Sequence, residues 1–230
     1  MFLDTPALQD LAPPAADRGP DDRPRPSGLA RLTAAATPVE VNSGETIYAQ
    51  DQGAARFVYE VLQGMVRTAR LTDEGRRVVH GFFAPGEVFG IAPNGANACS
   101  AEAVCDAVLA RCERAHLESV ALVDPVAARQ VWAWVLLDSE RSAARLSLLA
   151  YGSALQKVAH FLLEMAGRLG QQDRVQLPMS RYDIADYVGL SSETVSRTFT
   201  AMRERGLVAT DGRSVVLLKP DVLRRIDAPN

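Results

Sequence analysis

A single glycine between two short amphipathic segments constrains this chain more than any other feature. The segment runs Asp183-Ile184-Ala185-Asp186-Tyr187-Val188-Gly189-Leu190-Ser191-Ser192-Glu193-Thr194-Val195-Ser196-Arg197, with apolar residues at helical spacing on both sides of Gly189. A short helix, a turn that needs an unusual backbone dihedral and a second helix starting on a serine pair make a helix-turn-helix pattern. The first helix is predicted over Arg181 to Val188, with Ser180 as its N-cap and Asp183 completing a variant of the capping box. Ile184, Ala185 and Val188 are expected to face inward, and Leu190 to close the core.

Ser191 or Ser192 caps the second helix, where Val195, Phe199 and Met202 fall at core spacing. That leaves Glu193, Ser196, Arg197 and Thr200 outside. Arg197 can donate twice to the major-groove edge of guanine, Glu193 can accept from the amine of cytosine, and Ser196 can meet thymine or a phosphate. These three are the expected base readers. Ser180, Ser191, Ser192, Thr194, Thr200, Arg203, Arg205 and Arg213 are expected to serve as backbone or auxiliary contacts. The plainer alternative is that Glu193 and Arg197 form an ordinary surface ion pair, worth about 0.2–0.5 kcal/mol. The glycine turn in front, and the Val208…Gly212…Leu218 hairpin behind as a wing, favour base reading. The pair can also serve both purposes.

Charge distribution agrees with a nucleic-acid partner confined to the tail. The 230 residues carry a net charge of -3, which opposes indiscriminate adhesion to DNA. Between Arg174 and Arg225, however, nine basic residues face six acidic ones, so the rest of the chain is acidic. A hydrophobic share of 47% with 23% charged residues is that of a soluble globular chain long enough for two cores. The longest central apolar run, Val131 to Leu137, is seven residues, too short for a membrane span. Met1 to Asp10 holds Asp4 and Asp10 and lacks a basic start, so a cytoplasmic location with no membrane partner is expected.

Residues 1–28 hold six prolines and two glycines and read as a flexible arm, apart from a short helix around Ala7 to Leu11. Residues 29–120 form the next unit, within which Val39 to Arg114 alternates short apolar runs with glycine turns. Strands are predicted at Thr46–Tyr48, Phe57–Gln63, Met65–Leu71, Arg77–Phe83, Val88–Phe89 and Ala101–Arg111, which describes a closed antiparallel roll or barrel. Residues 121–151 contain a stretch without glycine or proline after Pro125, a helix of about 40 Å. Val126, Ala133, Leu137, Ala144, Leu148 and Tyr151 repeat at three-four spacing and predict a two-helix dimer seam, against the alternative of a helix buried wholly in its own chain. Residues 152–230 begin with a further helix, Ala154 to Leu169, and contain the DNA-reading segment.

No catalytic, metal or cofactor-binding residues are predicted. Cys99, Cys105 and Cys112 lack the close pairing of a zinc site and read as buried thiols in a sheet. His80, His116 and His160 are scattered, without a nucleophile or carboxylate at motif spacing. A metal-binding or enzymatic cupin-like protein would need several histidines on neighbouring strands, and only His80 is so placed.

These residues together resemble the CRP/FNR family of dimeric bacterial transcription regulators, and within it the FixK-like branch. The resemblance spans nearly the whole chain. Its most specific elements are Glu193-x-x-Ser196-Arg197 and the Leu177-Pro178-Met179 that precedes the first helix. It implies an α+β chain: an N-terminal antiparallel β-roll (a jelly roll of the cyclic-nucleotide-binding kind), a long dimerisation helix and a C-terminal winged helix-turn-helix. It also implies a homodimer on double-stranded DNA at a TTGAT…ATCAA-like palindromic operator. Contact with RNA polymerase would activate genes of low-oxygen respiration or nitrogen fixation.

Three departures bear on the effector. Residues 1–98 contain no cysteine, so three thiols cannot supply the four ligands of a typical iron-sulfur cluster. Pro85-Gly86-Glu87 is present, but no arginine follows until Arg111, and a cyclic phosphate would lack its bidentate partner. Ser180 stands where some FixK proteins carry an oxidisable cysteine. No cofactor is therefore expected. The rival within the same family is a haem- or small-molecule-responsive regulator, with His80 or His116 as axial ligands.

Overall fold

The computed structural model describes residues 28–32, 35–92, 96–171 and 173–227, with backbone alone at 30, 31 and 151. The arm expected over 1–28 and its short helix lie outside the described residues, Gly28 excepted. In chain order the elements are α1 (Gly28–Leu32), β1 (Thr37–Val41), β2 (Thr46–Tyr48), β3 (Phe57–Gln63), β4 (Val66–Leu71), β5 (Arg77–Phe83), β6 (Val88–Phe89), β7 (Ser100–Ala103) and β8 (Ala107–Glu113). There follow α2 (Arg114–Val123), α3 (Pro125–Tyr151), α4 (Ala154–Arg168), β9 (Arg174–Gln176), α5 (Arg181–Val188), α6 (Ser192–Glu204), β10 (Val208–Asp211), β11 (Ser214–Leu217) and α7 (Pro220–Asp227).

The first eight strands form two four-stranded antiparallel sheets, β1-β8-β3-β6 and β2-β7-β4-β5. Apolar side chains of both sheets meet between them: Val41, Val61 and Leu109 from the first, Val66, Ala101 and Ala103 from the second. Aromatic rings complete this interior. Tyr59 stacks on Phe89 with centroids 5.2 Å apart, and Tyr48 lies 6.0 Å from Tyr59. The result is a jelly-roll-like domain.

The predicted strand Ala101–Arg111 proves to be two strands in different sheets. The chain leaves β7, turns through Val104, Cys105 and Asp106, and enters β8 on the opposite sheet. The Asp106 carboxylate fixes that turn by accepting from the Ser43 backbone N–H at 2.9 Å. Cys112 is buried in β8 as expected of a sheet thiol, whereas Cys99 and Cys105 lie in loops and are half-buried.

A β-bulge shapes the outer face of the second sheet. The β4–β5 register pairs Thr68 with Gly81 and Ala69 with Val79, so His80 is the extra residue. Val79 and Phe82, three positions apart, therefore point to the same side. There they join Phe161 and Leu162 of α4 and Ile184 and Tyr187 of α5 in one core. Phe82 sits edge-on to Phe161 at 6.1 Å and 5.3 Å from Tyr187. The C-terminal helices are thus packed on the roll.

The 27-residue α3 starts on Asp124, whose carboxylate accepts from the Val126 N–H at 2.8 Å, with Pro125 in the first turn. Ala127 and Trp134 are buried, and Trp134 packs against the roll with Leu29, Val58, Cys112 and Leu117. Trp132 and Leu146 lie on other sides of the helix and are 64% and 67% exposed. Of the residues expected at a seam, Val126 and Ala144 are exposed, and Ala133, Leu137 and Leu148 are half-buried. The Tyr151 side chain lies outside the described residues. Among those described, no helix is long and apolar enough to cross a membrane.

Candidate nucleic-acid interface

Local chemistry at both helix starts builds the helix-turn-helix head. Ser180 Oγ accepts from the Asp183 N–H at 3.1 Å, while an Asp183 oxygen accepts from the Ser180 N–H at 3.1 Å. This closes the capping box read in the sequence. Gly189 then adopts φ 66°, ψ 41°, a left-handed conformation that favours glycine, and the Leu190 N–H returns to the Ala185 carbonyl at 3.0 Å. Ser191 is the cap of α6, accepting from the Thr194 N–H at 3.1 Å, so of the two serines considered it is the first that caps.

The α6 helix buries Val195, Thr198, Phe199 and Met202. Its other face is open: Glu193 and Arg197 are each 80% exposed, with charged atoms 3.9 Å apart, and Ser196 lies exposed beside them. At that distance the pair is loose, and both groups are free to turn towards a ligand. Ser196 Oγ rests on the Ser192 carbonyl at 2.9 Å, and Arg203 donates to Thr200 Oγ1 at 3.4 Å.

Around this face lie the auxiliary residues. Ser180, Ser191, Thr200, Arg203, Arg205 and Arg213 are exposed, and Ser192 and Thr194 half-buried. Thr194, Arg197, Thr198, Ala201 and Arg205 line one side of an open groove of about 500 Å³, with Ala154 and Leu155 from the start of α4 on the other. Arg213 sits at the end of the β10–β11 hairpin, after Gly212. The wing has a third strand not read in the sequence, since β9 pairs with β11.

Sequence reasoning also missed the residues that seat the head. Arg67 and Arg77 of the second sheet both bond the Asp183 carboxylate, at 3.1 and 2.7 Å, and Arg77 also reaches Asp186 at 2.9 Å. Arg168 of α4 pairs with Glu87 at 2.6 Å, and Arg141 of α3 with the same carboxylate at 2.8 Å. Burial would raise the Glu87 carboxyl, but these two guanidiniums outweigh it and hold it below the ordinary value. Asp183 is depressed in the same way: burial opposes, and the Ser180 hydrogen bonds with the arginine charges prevail. Arg181 lies with its guanidinium 3.4 Å from the Phe199 ring centroid, tying α5 to α6. These partners are far apart in sequence, so no local spacing could have revealed them.

The histidines have other company. His160 pairs with Asp227 of α7 at 2.9 Å, while His80 and His116 are exposed. Among the described residues, no three His, Cys, Asp or Glu side chains are grouped as a metal site.

Comparison with known proteins agrees with this architecture. Residues 38–123 match the cyclic nucleotide-binding domain model and residues 156–226 the Crp-like helix-turn-helix domain model. The nitrogen fixation regulation protein FixK of Azorhizobium caulinodans is 37% identical over 214 residues, 90% of this chain and 85% of that protein. FixK of Rhizobium meliloti is 36% identical, over 88% of this chain and 90% of that protein. The structure of FixK2 from Bradyrhizobium japonicum matches with a TM-score of 0.81 at 36% identity, covering 85% of this chain and 99% of that one.

Proposed function

The chain belongs to the CRP/FNR family of transcription regulators, close to its FixK-type members, and on that premise we propose that it activates genes of low-oxygen respiration or nitrogen fixation from a TTGAT…ATCAA-like palindrome. The observation that carries this reading is the outer face of α6, where Glu193, Ser196 and Arg197 stand exposed on a helix whose back is buried. In that reading Arg197 takes guanine, Glu193 takes cytosine, and Ser196 meets thymine or phosphate. Arg203, Arg205 and Arg213, with Ser180, Ser191, Ser192, Thr194 and Thr200, set the head on the backbone.

Residues 29–120 form the roll unit, 121–151 the dimer helix and 152–230 the DNA-binding unit in this account. Two copies pair along α3, with Val126, Ala133, Leu137, Ala144, Leu148 and Tyr151 at the seam. The exposed Trp132 and Leu146 support an apolar contact with a second copy. Two α6 helices then enter successive major grooves about 34 Å apart. Activation proceeds through contact with RNA polymerase once the dimer is seated.

The roll acts without a cyclic nucleotide. Tyr48, Tyr59 and Phe89 fill the space between its sheets, and no arginine between Glu87 and Arg111 offers a cyclic phosphate a bidentate partner. The apo dimer is therefore competent for DNA.

Selection of bound DNA from a random pool, with purified protein and no added small molecule, tests the reading. Enrichment of an inverted repeat is the expected result. Enrichment of a single undivided half-site, or dimerisation only after a small molecule or metal is added, would refute it.

A further inference from the structure

We infer that Arg67 and Arg77 of the roll are positioning residues for DNA recognition, setting the angle at which α6 is presented and hence the half-site spacing the dimer accepts. This rests on the DNA-binding reading above and adds to it a role for the roll that needs no ligand.

Apolar and ionic contacts constrain α5 in different ways. The apolar core around Phe82, Phe161 and Tyr187 holds α5 against β5, but apolar contact is non-directional and leaves rotation about the helix axis weakly defined. The arginines supply the direction. Arg77 spans two places on α5: Nη2 reaches Asp183 in the first turn at 2.7 Å, and Nε reaches Asp186 at 2.9 Å. Arg67 bonds Asp183 from the neighbouring strand β4 at 3.1 Å, and is itself held by Glu102 of β7 at 2.6 and 3.0 Å. Planar guanidinium forks accept only a narrow range of approach, so contacts at two turns fix both height and rotation of α5.

The Asp183 side chain is 5% exposed, and its oxygens are shared among the two arginines and the Ser180 cap. The same carboxylate therefore closes the α5 N-terminus and carries the roll's grip. Taking charges out of water offsets much of what their attraction gains. The geometric product of this cluster is orientation more than stability. From α5 the constraint passes to α6 through the Gly189 turn and the shared core of Ile184, Val195 and Phe199. Since α3 and α4 also grip the roll through Glu87, the roll becomes the frame on which head and dimer helix are aligned.

The test is a binding titration of the full-length protein on the palindrome and on versions with spacers shortened or lengthened by one base pair. Arg77→Asp should lower affinity for the native spacing by about tenfold. It should also flatten the preference for that spacing, while discrimination among bases within a half-site is kept. Arg77→Asp combined with Asp186→Arg should restore most of both. Arg77→Gln, run beside them with a thermal melt, shows the same flattening in a milder background. Unchanged or increased affinity in Arg77→Asp and Arg77→Gln would overturn the inference, as would a spacing preference identical to wild type. Failure of the wild-type protein to prefer the palindrome, read in the same titration first, would instead overturn the DNA reading itself.

Discussion

Arg145 of the long helix lies with its guanidinium 4.6 Å from the ring centroid of Tyr187 and donates to the Tyr187 carbonyl at 3.1 Å. It also donates to the carbonyl of His80, the residue at the β-bulge. One side chain of α3 thus touches the roll and the end of α5, next to the turn that leads into α6. Arg145→Ala should destabilise the protein by about 1–3 kcal/mol, because it leaves two carbonyls without a charged donor. Denaturant titration checks the size. Faster hydrogen exchange at residues 187–190 than elsewhere in the head checks the place.

Gly189 is held by the same helix. A β-carbon there would approach Leu149 Cδ2 to 2.9 Å, and its φ of 66° is costly for any side chain. Gly189→Ala should cost about 1–2 kcal/mol for the backbone alone. Leu149→Ala in the same protein should recover the steric part and leave the backbone part. Additive losses in a double-mutant cycle would contradict the contact.

Acid should loosen the joint between roll and head. Asp183 and Glu87 both have folded pKa values below their unfolded ones. Their contribution is thus present in full above the unfolded carboxylate range near about 4, and is lost as pH falls from there through the lower folded values. Asp183→Asn should flatten the acid limb of stability against pH. An unchanged limb, with the same drop between neutral pH and acid, would mean that the Asp183 pairs contribute nothing.

The elements that were legible in the sequence are those decided within a turn or two. The Ser180–Asp183 cap, the Gly189 turn and the apolar spacing of Val195, Phe199 and Met202 depend on neighbours at most a few positions away. The break at Val104-Cys105-Asp106 carries no glycine or proline, and only the change of sheet reveals it. β9 has three residues and becomes a strand because β11 pairs with it. The grip of Arg67 on Asp183 spans 116 positions, so it exists only once the roll and the head are folded together. α7, in contrast, opens on Pro220-Asp221, a helix start decided within its own first turn.

Arg205 and Arg213, proposed as backbone contacts, should behave unlike Arg197, proposed as a base reader. Arg205→Ala and Arg213→Ala should weaken binding to all DNA sequences alike and lower the salt slope of log K by roughly one unit each. Titrations at several salt concentrations on specific and random DNA measure both quantities. A loss confined to one base position would move these residues into the reading face.

Arg197→Ala separates base reading from backbone anchoring on the α6 face. The variant is titrated against the operator and every single-base substitution of one half-site, beside the wild-type protein. The expected result is a loss of about 1–3 kcal/mol of discrimination at one base pair per half-site, with the others retained. An equal drop in affinity for every sequence would make Arg197 a backbone anchor and contradict the assignment of the α6 face as the reader.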